Sequence, residues 1–314
     1  MTLPSFPSRS GNRREWRQSV RGGESAWLRR SCRIVCLGNS MNHRLLGLLV
    51  FLFVVIAETK GDVLVIAPHP DDEVIGCTGV ILRALEAKEQ VTVVILTNGD
   101  GYAVLTAAAT KKERAQLTPE DFMKAGALRQ EHSVKAMKRL GVPRENLIFL
   151  GYPDSGLERM WEMDGSTAFR QMLTQKRETY GMTGQDYHTL THGKPAPYLK
   201  ASVVADLAEI VRTRNPQEVF VSHESDKHGD HRAAFWYVRD ALRAAAFQGR
   251  FLAYVVHGDP LPREPDLRVH LLPHEYETKR AAIIDHTQGT SPVHDGLVQE
   301  YLKPEELFWQ FPIR

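Results

Sequence analysis

Residues 62–73 read DVLVIAPHPDDE, a stretch with an apolar first half and a polar second half. The first half of this stretch is an apolar run that is typical of a strand buried on both faces. The second half crowds one imidazole and three acids, His69, Asp71, Asp72 and Glu73, into five positions directly after that strand. Open α/β sheets bind their ligands beyond the carboxyl ends of the strands. The stretch therefore predicts a polar site at the end of a buried first strand.

The remainder of the chain alternates between strand and helix patterns. Strands are predicted at 62–67, 91–97, 147–150, 218–222, 251–256 and 267–272, and helices at 76–88, 127–140, 199–214, 231–247 and 274–286. Repeated units of this kind imply a mostly parallel sheet with helices on both faces, a three-layer α/β sandwich. The stretches 102–121 and 158–197 lack strong periodicity, and we expect them to be insertions that build a substrate rim.

Composition excludes several classes of protein. The 314 residues are 42% hydrophobic and 25% charged, which excludes an intrinsically disordered chain, a collagen-like fibre and a multi-span membrane protein. Three cysteines are too few for a disulfide scaffold. The net charge is +7 within residues 1–44 and −5 in the rest, so the body is mildly acidic. An acidic body argues against a nucleic-acid partner.

Residues 45–57, LLGLLVFLFVVIA, form an uncharged apolar run near the N-terminus. The run is shorter than the about 20 residues that cross a bilayer, but it suits the apolar region of a secretory signal. Arg44 precedes it, and the small residues Val55 and Ala57 are placed for cleavage before Glu58. An uncleaved membrane anchor or a buried strand are the alternatives.

This interpretation divides the chain into three parts. Residues 1–40 are expected to be a disordered upstream extension, residues 41–57 a signal peptide or anchor, and residues 58–314 a single α/β domain. We therefore expect an exported protein, periplasmic or extracellular, with a membrane anchor through residues 45–57 as the alternative to signal cleavage.

A second polar segment, SHESDKHGDH at 222–231, directly follows the strand predicted at 218–222. His228 and His231 are three residues apart where a helix begins, as His69 and Asp72 are in the first segment. Taken singly, the acids could be helix caps and the histidines a solvated helix face. Together, at two strand ends, they match a catalytic zinc site, which has three N/O ligands and one open position.

The two segments resemble one known family. HPDDE at 69–73 together with HGDH at 228–231 is similar to the PIG-L/LmbE-like family of zinc-dependent N-acetylglucosamine deacetylases. The similarity covers most of residues 62–310. Supporting blocks are LRQEHSVKAMKRLGV at 128–142, FLGYPD at 149–154, KRAAIIDHTQ at 279–288 and ELF at 306–308.

The resemblance implies a Rossmann-like fold and a set of functional residues. The implied zinc (Zn2+) ligands are His69, Asp72 and His231. The resemblance further implies that Asp71 is the general base on the zinc water and that His228 stabilises the oxyanion. It also implies that Arg129 and Asp154 contact the sugar. The chain departs from the family pattern twice, since the acid after Arg129 is displaced by one position to Glu131 and the spacing from His286 to Gln288 is one residue short. Both departures concern substrate identity.

The predicted function is a zinc-dependent hydrolase that deacetylates an N-acetylated amino sugar, such as a GlcNAc-containing glycan or glycoconjugate, and releases acetate. Its partner is a small-molecule or glycan substrate, and the sequence does not indicate an oligomeric state. Two alternatives stay open: an amidase of the same mechanism acting on a non-sugar amide, and a non-catalytic exported glycan-binding protein. His257, His274, His286 and His294 are interpreted as surface or core histidines, His286 having the best claim to line the site.

Overall fold

The apolar runs of the sequence form one seven-stranded sheet in the part of the chain that the structure describes. The strands are β1 (Val63–Ala67), β2 (Val91–Thr97), β3 (Leu147–Tyr152), β4 (Glu218–Ser222), β5 (Arg250–Tyr254), β6 (Leu267–His270) and β7 (Glu305–Gln310). Their order is β3-β2-β1-β4-β5-β7-β6. The pairs among β1 to β5 are parallel, whereas β7 runs antiparallel to both β5 and β6.

Helices cover both faces of this sheet. They are α1 (Asp72–Glu86), α2 (Ala103–Thr110), α3 (Pro119–Leu140), α4 (Leu157–Glu162), α5 (Tyr187–His192), α6 (Lys200–Arg214), α7 (Gly229–Ala244), α8 (Pro273–Thr287) and α9 (His294–Tyr301). Successive strand side chains point to opposite faces, so Leu64 and Ile66 join the core under α6 and α7. Val63 and Val65 join the core under α1, α3 and α8. The three-layer, mostly parallel α/β prediction is confirmed.

The computed structural model describes residues 62–181, 184–287 and 294–313. These residues belong to one compact unit, Ile56–Arg314. The predictions for residues 1–40 and 41–57 concern positions outside the described ranges. Among the described residues, no helix combines the length and the apolar character that a membrane crossing requires.

The strand order places the two polar segments side by side. β1 lies in the middle of the parallel sheet, with β2 on one side and β4 on the other. Strands β2 and β3 are added on one side of β1, whereas β4 and β5 are added on the opposite side, so the strand order reverses at this point. Ile66 near the end of β1 pairs with Val221 near the end of β4. The residues that follow these two strands therefore emerge next to each other, at the crevice where α/β sheets bind ligands.

The structure differs from the sequence prediction at several stretches. Residues 158–197 include α5 and most of α4, and α9 was not predicted. Residues 102–121 hold α2 and the start of α3, not an irregular loop. Thr118 caps α3, with Asp121 returning the hydrogen bond in a capping box and Pro119 at the first helical position. β7 was not predicted. It is the last strand in the sequence, yet it lies between β5 and β6 in the sheet, and no local pattern indicates such a long-range pairing.

Candidate metal and catalytic site

The loop between β1 and α1 holds a strained residue. Asp71 has φ 139° and ψ −28°, a conformation that residues with a Cβ rarely adopt. Its backbone N–H donates to Glu73 Oε2 at 2.9 Å, which holds the first turn of α1 against the loop. Backbone strain of this kind costs about 1–3 kcal/mol and is concentrated at functional sites. The strain therefore marks Asp71 as a residue held in place for a task.

Three side chains converge beyond the ends of β1 and β4. His69 Nδ1 lies 3.1 Å from Asp72 Oδ2 and 3.2 Å from His231 Nε2, and the last two atoms are 3.1 Å apart. All three residues are buried. Donors bound at about 2.0–2.2 Å to a tetrahedral ion lie about 3.3–3.6 Å apart. The three atoms, which we call the ligand triangle, therefore fit a divalent metal ion.

Carboxylates lie behind both imidazoles of the ligand triangle. Asp226 Oδ2 is 3.2 Å from His231 Nδ1. On the other side, His69 Nε2 is 3.3 Å from Asp230 Oδ2 and 3.4 Å from Asp154 Oδ1. Carboxylates in this position fix which ring nitrogen carries the proton and turn the other towards a metal. Both histidines thus have the orientation that binding of a metal at His69 Nδ1 and His231 Nε2 would require.

The charges around the triangle favour a bound cation. Burial lowers the pKa of His231, but Asp72 and Asp226 raise it to about 9. Burial also lowers the pKa of His69, and Asp154 leads the contacts that raise it well above its ordinary value. The pKa of Asp72 is held well below its usual range by His231, against the opposing effect of burial. The site therefore attracts positive charge, whether a proton or a metal ion supplies it.

Arg129 ties Asp71 to two loops. Its guanidinium donates to Pro70 O at 2.9 Å, to Gly99 O at 3.0 Å and to Asp71 Oδ2 at 3.0 Å. Burial raises the pKa of Asp71 above its ordinary value, while the Arg129 charge lowers it. About a third of the Asp71 side chain, 33%, stays exposed. A carboxylate with a raised pKa at the edge of a cavity is suited to accept a proton.

His228 caps helix α7 and faces the same centre. Its Nδ1 accepts a hydrogen bond from Asp230 N at 3.2 Å, and its ring lies edge-on to that of His69, with 4.7 Å between centroids. Burial and then the neighbouring His69 charge lower the pKa of His228 to about 4. The imidazole is consequently neutral at pH 7, with its proton on Nε2. It can donate a hydrogen bond to a developing negative charge.

A cavity of about 270 Å³ opens in front of these groups. Its wall includes His69, Asp71, Asp72, Arg129, Asp154 and His228, with apolar contributions from Ile75, Leu105 and Ile283. Of the residues predicted from the sequence, only His231 is absent from this wall, because it lies fully buried behind the other ligands. Arg129 and Asp154 line the cavity, and their contact with substrate stays a prediction. Asp154 is also fixed by Gly101 N at 2.6 Å.

The structure adds residues that sequence reasoning did not select. His257 lines the cavity, its ring centroid is 4.7 Å from that of His231, and its Nδ1 lies 3.1 Å from Tyr301 Oη. Its position directly after β5 was the available signal, since β5 adjoins β4. Asp226 carried a weaker signal, because an acid five residues before a histidine has no fixed geometry until the loop is built.

The two departures from the family pattern have different surroundings. Glu131, the displaced acid, is exposed on α3. His286 lines the cavity, and its Nε2 is 3.2 Å from Glu73 Oε1. His286 therefore belongs to the site, as its place in the sequence suggested. Gln288 lies outside the described residues.

Comparison with known proteins gives a family match and structural neighbours. The sequence model of the family described as PIG-L: GlcNAc-PI de-N-acetylase matches residues 64–242, more than half of the chain. No curated protein sequence matches significantly. The N,N'-diacetylchitobiose deacetylase from Pyrococcus horikoshii is 19% identical, with a TM-score of 0.54 over 81% of this chain and 84% of that one.

Other neighbours share the fold at similar levels. GalB, the 4-carboxy-2-hydroxymuconate hydratase from Pseudomonas putida KT2440, is 17% identical, with a TM-score of 0.52 over 80% of this chain and 97% of that one. A deacetylase of the teicoplanin biosynthetic pathway, solved as a triple mutant, is 13% identical, with a TM-score of 0.51 over 79% of this chain and 97% of that one. Because a hydratase and deacetylases share this architecture, the fold alone does not select a reaction.

Proposed function

The chain belongs to the PIG-L (GlcNAc-PI de-N-acetylase) family, and from this membership and the site we propose a zinc-dependent hydrolase that removes the acetyl group from an N-acetylated amino sugar. The observation that carries the proposal is the ligand triangle of His69, Asp72 and His231, with Asp71 at the edge of the same cavity. We also propose that the protein acts after export, since residues 41–57 have the pattern of a secretory signal.

The donor set suits zinc. Two imidazoles and one carboxylate are borderline ligands that Zn²⁺ accepts readily, and three protein ligands are what catalytic zinc sites use. Once bound, the ion would supply the positive charge that acidifies water and polarises an acetyl carbonyl. Asp226, Asp230 and Asp154 would hold the two imidazoles in the orientation that such binding requires.

Asp71 would act as the general base. Arg129 occupies its Oδ2, so the proton of the attacking water would go to Oδ1. The raised pKa brings this carboxyl closer to the range in which a base works at neutral pH. Its strained backbone and the Arg129 contact fix the carboxylate before substrate binds, which reduces the cost of reaching the reactive geometry.

His228 would stabilise the oxyanion. Because Nδ1 is engaged by the Asp230 amide, the donor that faces substrate is Nε2–H. A fixed neutral donor in a cavity with little water stabilises charge as it develops on the carbonyl oxygen. We propose that Arg129 and Asp154 contact the sugar from the cavity wall, in addition to positioning Asp71 and His69.

The test is an acetate-release assay on the zinc-loaded full chain, with N-acetylated amino sugars and non-sugar acetamides as substrates. We expect release from the sugars, and an Asp71→Asn variant that keeps its metal but loses about 10²–10⁴-fold in rate. Asp259→Asn, which removes an exposed carboxylate, is the matched control and should keep full activity. Release from non-sugar acetamides alone would identify an amidase. Sugar binding without any acetate release would identify a glycan-binding protein and contradict the proposal.

A further inference from the structure

A second cluster of histidines and acids lies apart from the catalytic cavity. His188 and His192 are four residues apart on α5, so they share one face of that helix. Asp206 and Glu209, three residues apart on α6, face them. None of these four residues lines the catalytic cavity.

The donor atoms of the cluster are close together. His188 Nδ1 is 2.7 Å from Asp206 Oδ1, His192 Nε2 is 3.0 Å from Glu209 Oε2, and the two imidazole centroids are 4.4 Å apart. One ligand atom each from His188, His192 and Asp206 falls within 4.8 Å of the others. Donors on one zinc-like ion lie about 3.3–3.6 Å apart. The donors in the structure are thus at most 4.8 Å apart, slightly more than the spacing on a bound ion.

The surroundings hold the donors in place. Tyr152 Oη donates to Asp206 Oδ2 at 2.6 Å, which leaves Oδ1 directed at the histidines. α5 is only six residues long, yet it is fixed at both ends. Asp186 accepts from Thr189 N at 3.1 Å at the start, and Gly193, with φ 73°, closes the end in the left-handed conformation. Carboxylates that bind a metal ion are usually held in place by a second hydrogen-bond partner of this kind.

Side-chain exposure in the cluster increases from Asp206 to His188 to His192, which leaves a route from solvent to the buried carboxylate. The Asp206 side chain is 1% exposed, that of His188 18% and that of His192 41%. Burial raises the pKa of the Asp206 carboxyl, while Tyr152 and His188 oppose this effect. A buried carboxylate is costly to ionise without a neighbouring positive charge, which a bound cation would supply.

We propose that His188, His192 and Asp206 bind a second divalent transition-metal ion, with Glu209 as a further carboxylate beside it. Two imidazoles and a carboxylate select ions such as Zn²⁺, Co²⁺ or Ni²⁺ over Mg²⁺ or Ca²⁺, which prefer oxygen ligands. The ion would clamp α5 onto α6 and, through Tyr152, onto the end of β3. Asp154 follows two residues later, so the clamp would stabilise the wall of the catalytic cavity.

The experiment counts metal ions on the full chain by titration with Co²⁺, with metal content measured after removal of unbound ion. We expect two equivalents for the parent, one for His231→Ala, one for His192→Ala and none for the double variant. His192 is partly exposed, so its replacement leaves the core untouched; circular dichroism of each variant checks the fold. His270→Ala removes another exposed histidine and is the matched control, with two equivalents expected.

The counts separate this proposal from the proposed function. A single equivalent in the parent that His231→Ala abolishes would overturn the second site and leave the catalytic centre intact. Two equivalents that persist in His192→Ala would also overturn it, because the second ion would lie elsewhere. One equivalent in the parent that only His192→Ala removes would support the second site and contradict the catalytic metal.

Discussion

Replacing Asp226 by Asn tests how the protein holds its proposed metal ligands. Asp226 Oδ2 faces His231 Nδ1 at 3.2 Å and accepts from the backbone N–H groups of Val256 at 2.9 Å and His257 at 3.0 Å. Its Oδ1 accepts from His228 N at 2.9 Å. Asp226 is 1% exposed, so water cannot replace any of these contacts. One carboxylate thus joins the loop after β4, the loop after β5 and the ligand His231.

The magnitude follows from the donors that surround this carboxylate. Asn has the same shape, but one of its two terminal groups is an amide NH₂, which cannot accept. In one orientation the N–H of His228 loses its acceptor, and in the other the donors at Oδ2 lose theirs. A buried donor without an acceptor costs about 1–3 kcal/mol of folding stability. Loss of the carboxylate behind a metal-bound histidine weakens metal binding about 10–100-fold, which is about 1.4–2.7 kcal/mol.

The assay is chelator competition for zinc, performed in a His192→Ala background so that only the catalytic site titrates, together with urea unfolding of the same proteins. Glu224→Gln is the matched control, because Glu224 is an exposed acid in the same loop as Asp226. The Glu224 Oε2 atom accepts a hydrogen bond from Trp236 Nε1 at 2.7 Å. We expect that control to bind zinc like its parent. A metal affinity of Asp226→Asn within twofold of the parent would refute the role assigned to this carboxylate.

Three further predictions concern catalysis, acid stability and processing. His228→Ala should lower kcat about 10²–10³-fold with little change in KM, as measured by steady-state acetate release. It should also lower the free energy of unfolding by about 1 kcal/mol through loss of the α7 cap. An unchanged kcat would contradict the oxyanion role of His228. Although burial raises the pKa of Asp285, its ion pairs with Arg139 and Lys135 lower it. The folded-state pKa is thus depressed, so the pairs stabilise the fold above the unfolded value of about 3.9 and the benefit is lost as pH falls through the folded-state pKa. Asp285→Asn should therefore unfold earlier in urea than the parent at pH 7, and the difference should shrink as the pH is lowered below about 3.9. A difference that stays the same at all pH values would contradict this. N-terminal sequencing of the secreted protein should start at Glu58, and a mature chain that starts near residue 1 would contradict the signal-peptide prediction.

Strand ends made much of the site predictable. β1 and β4 are buried parallel strands, so each forms an apolar run that can be recognised in the sequence. Because the two strands pair in parallel, their carboxyl ends lie at the same edge of the sheet. The polar segments at 69–73 and 222–231 follow these ends directly. Chain geometry therefore predicted that the two segments meet, and the family resemblance selected His69, Asp72 and His231 within them. The structure brings the donor atoms of these three residues within 3.2 Å of one another.

Residues whose role depends on distant contacts were not predictable. His257 approaches the centre only because β5 pairs with β4, and Asp226 acts through a loop that no local pattern specifies. The family resemblance assigned Asp71 as the general base, but nothing in the sequence indicated the positive φ of this residue or its contact with Arg129. β7 pairs with β5 across more than 50 residues, and strand propensity alone does not reveal such pairing.

The central claim is that one divalent ion is held jointly by His69, Asp72 and His231. Anomalous scattering from crystals of the full chain grown with Zn²⁺, recorded on both sides of the zinc absorption edge, tests it directly. We expect a peak about 2.0–2.2 Å from His69 Nδ1, Asp72 Oδ2 and His231 Nε2. A fully loaded crystal whose zinc peak lies away from all three atoms would contradict it.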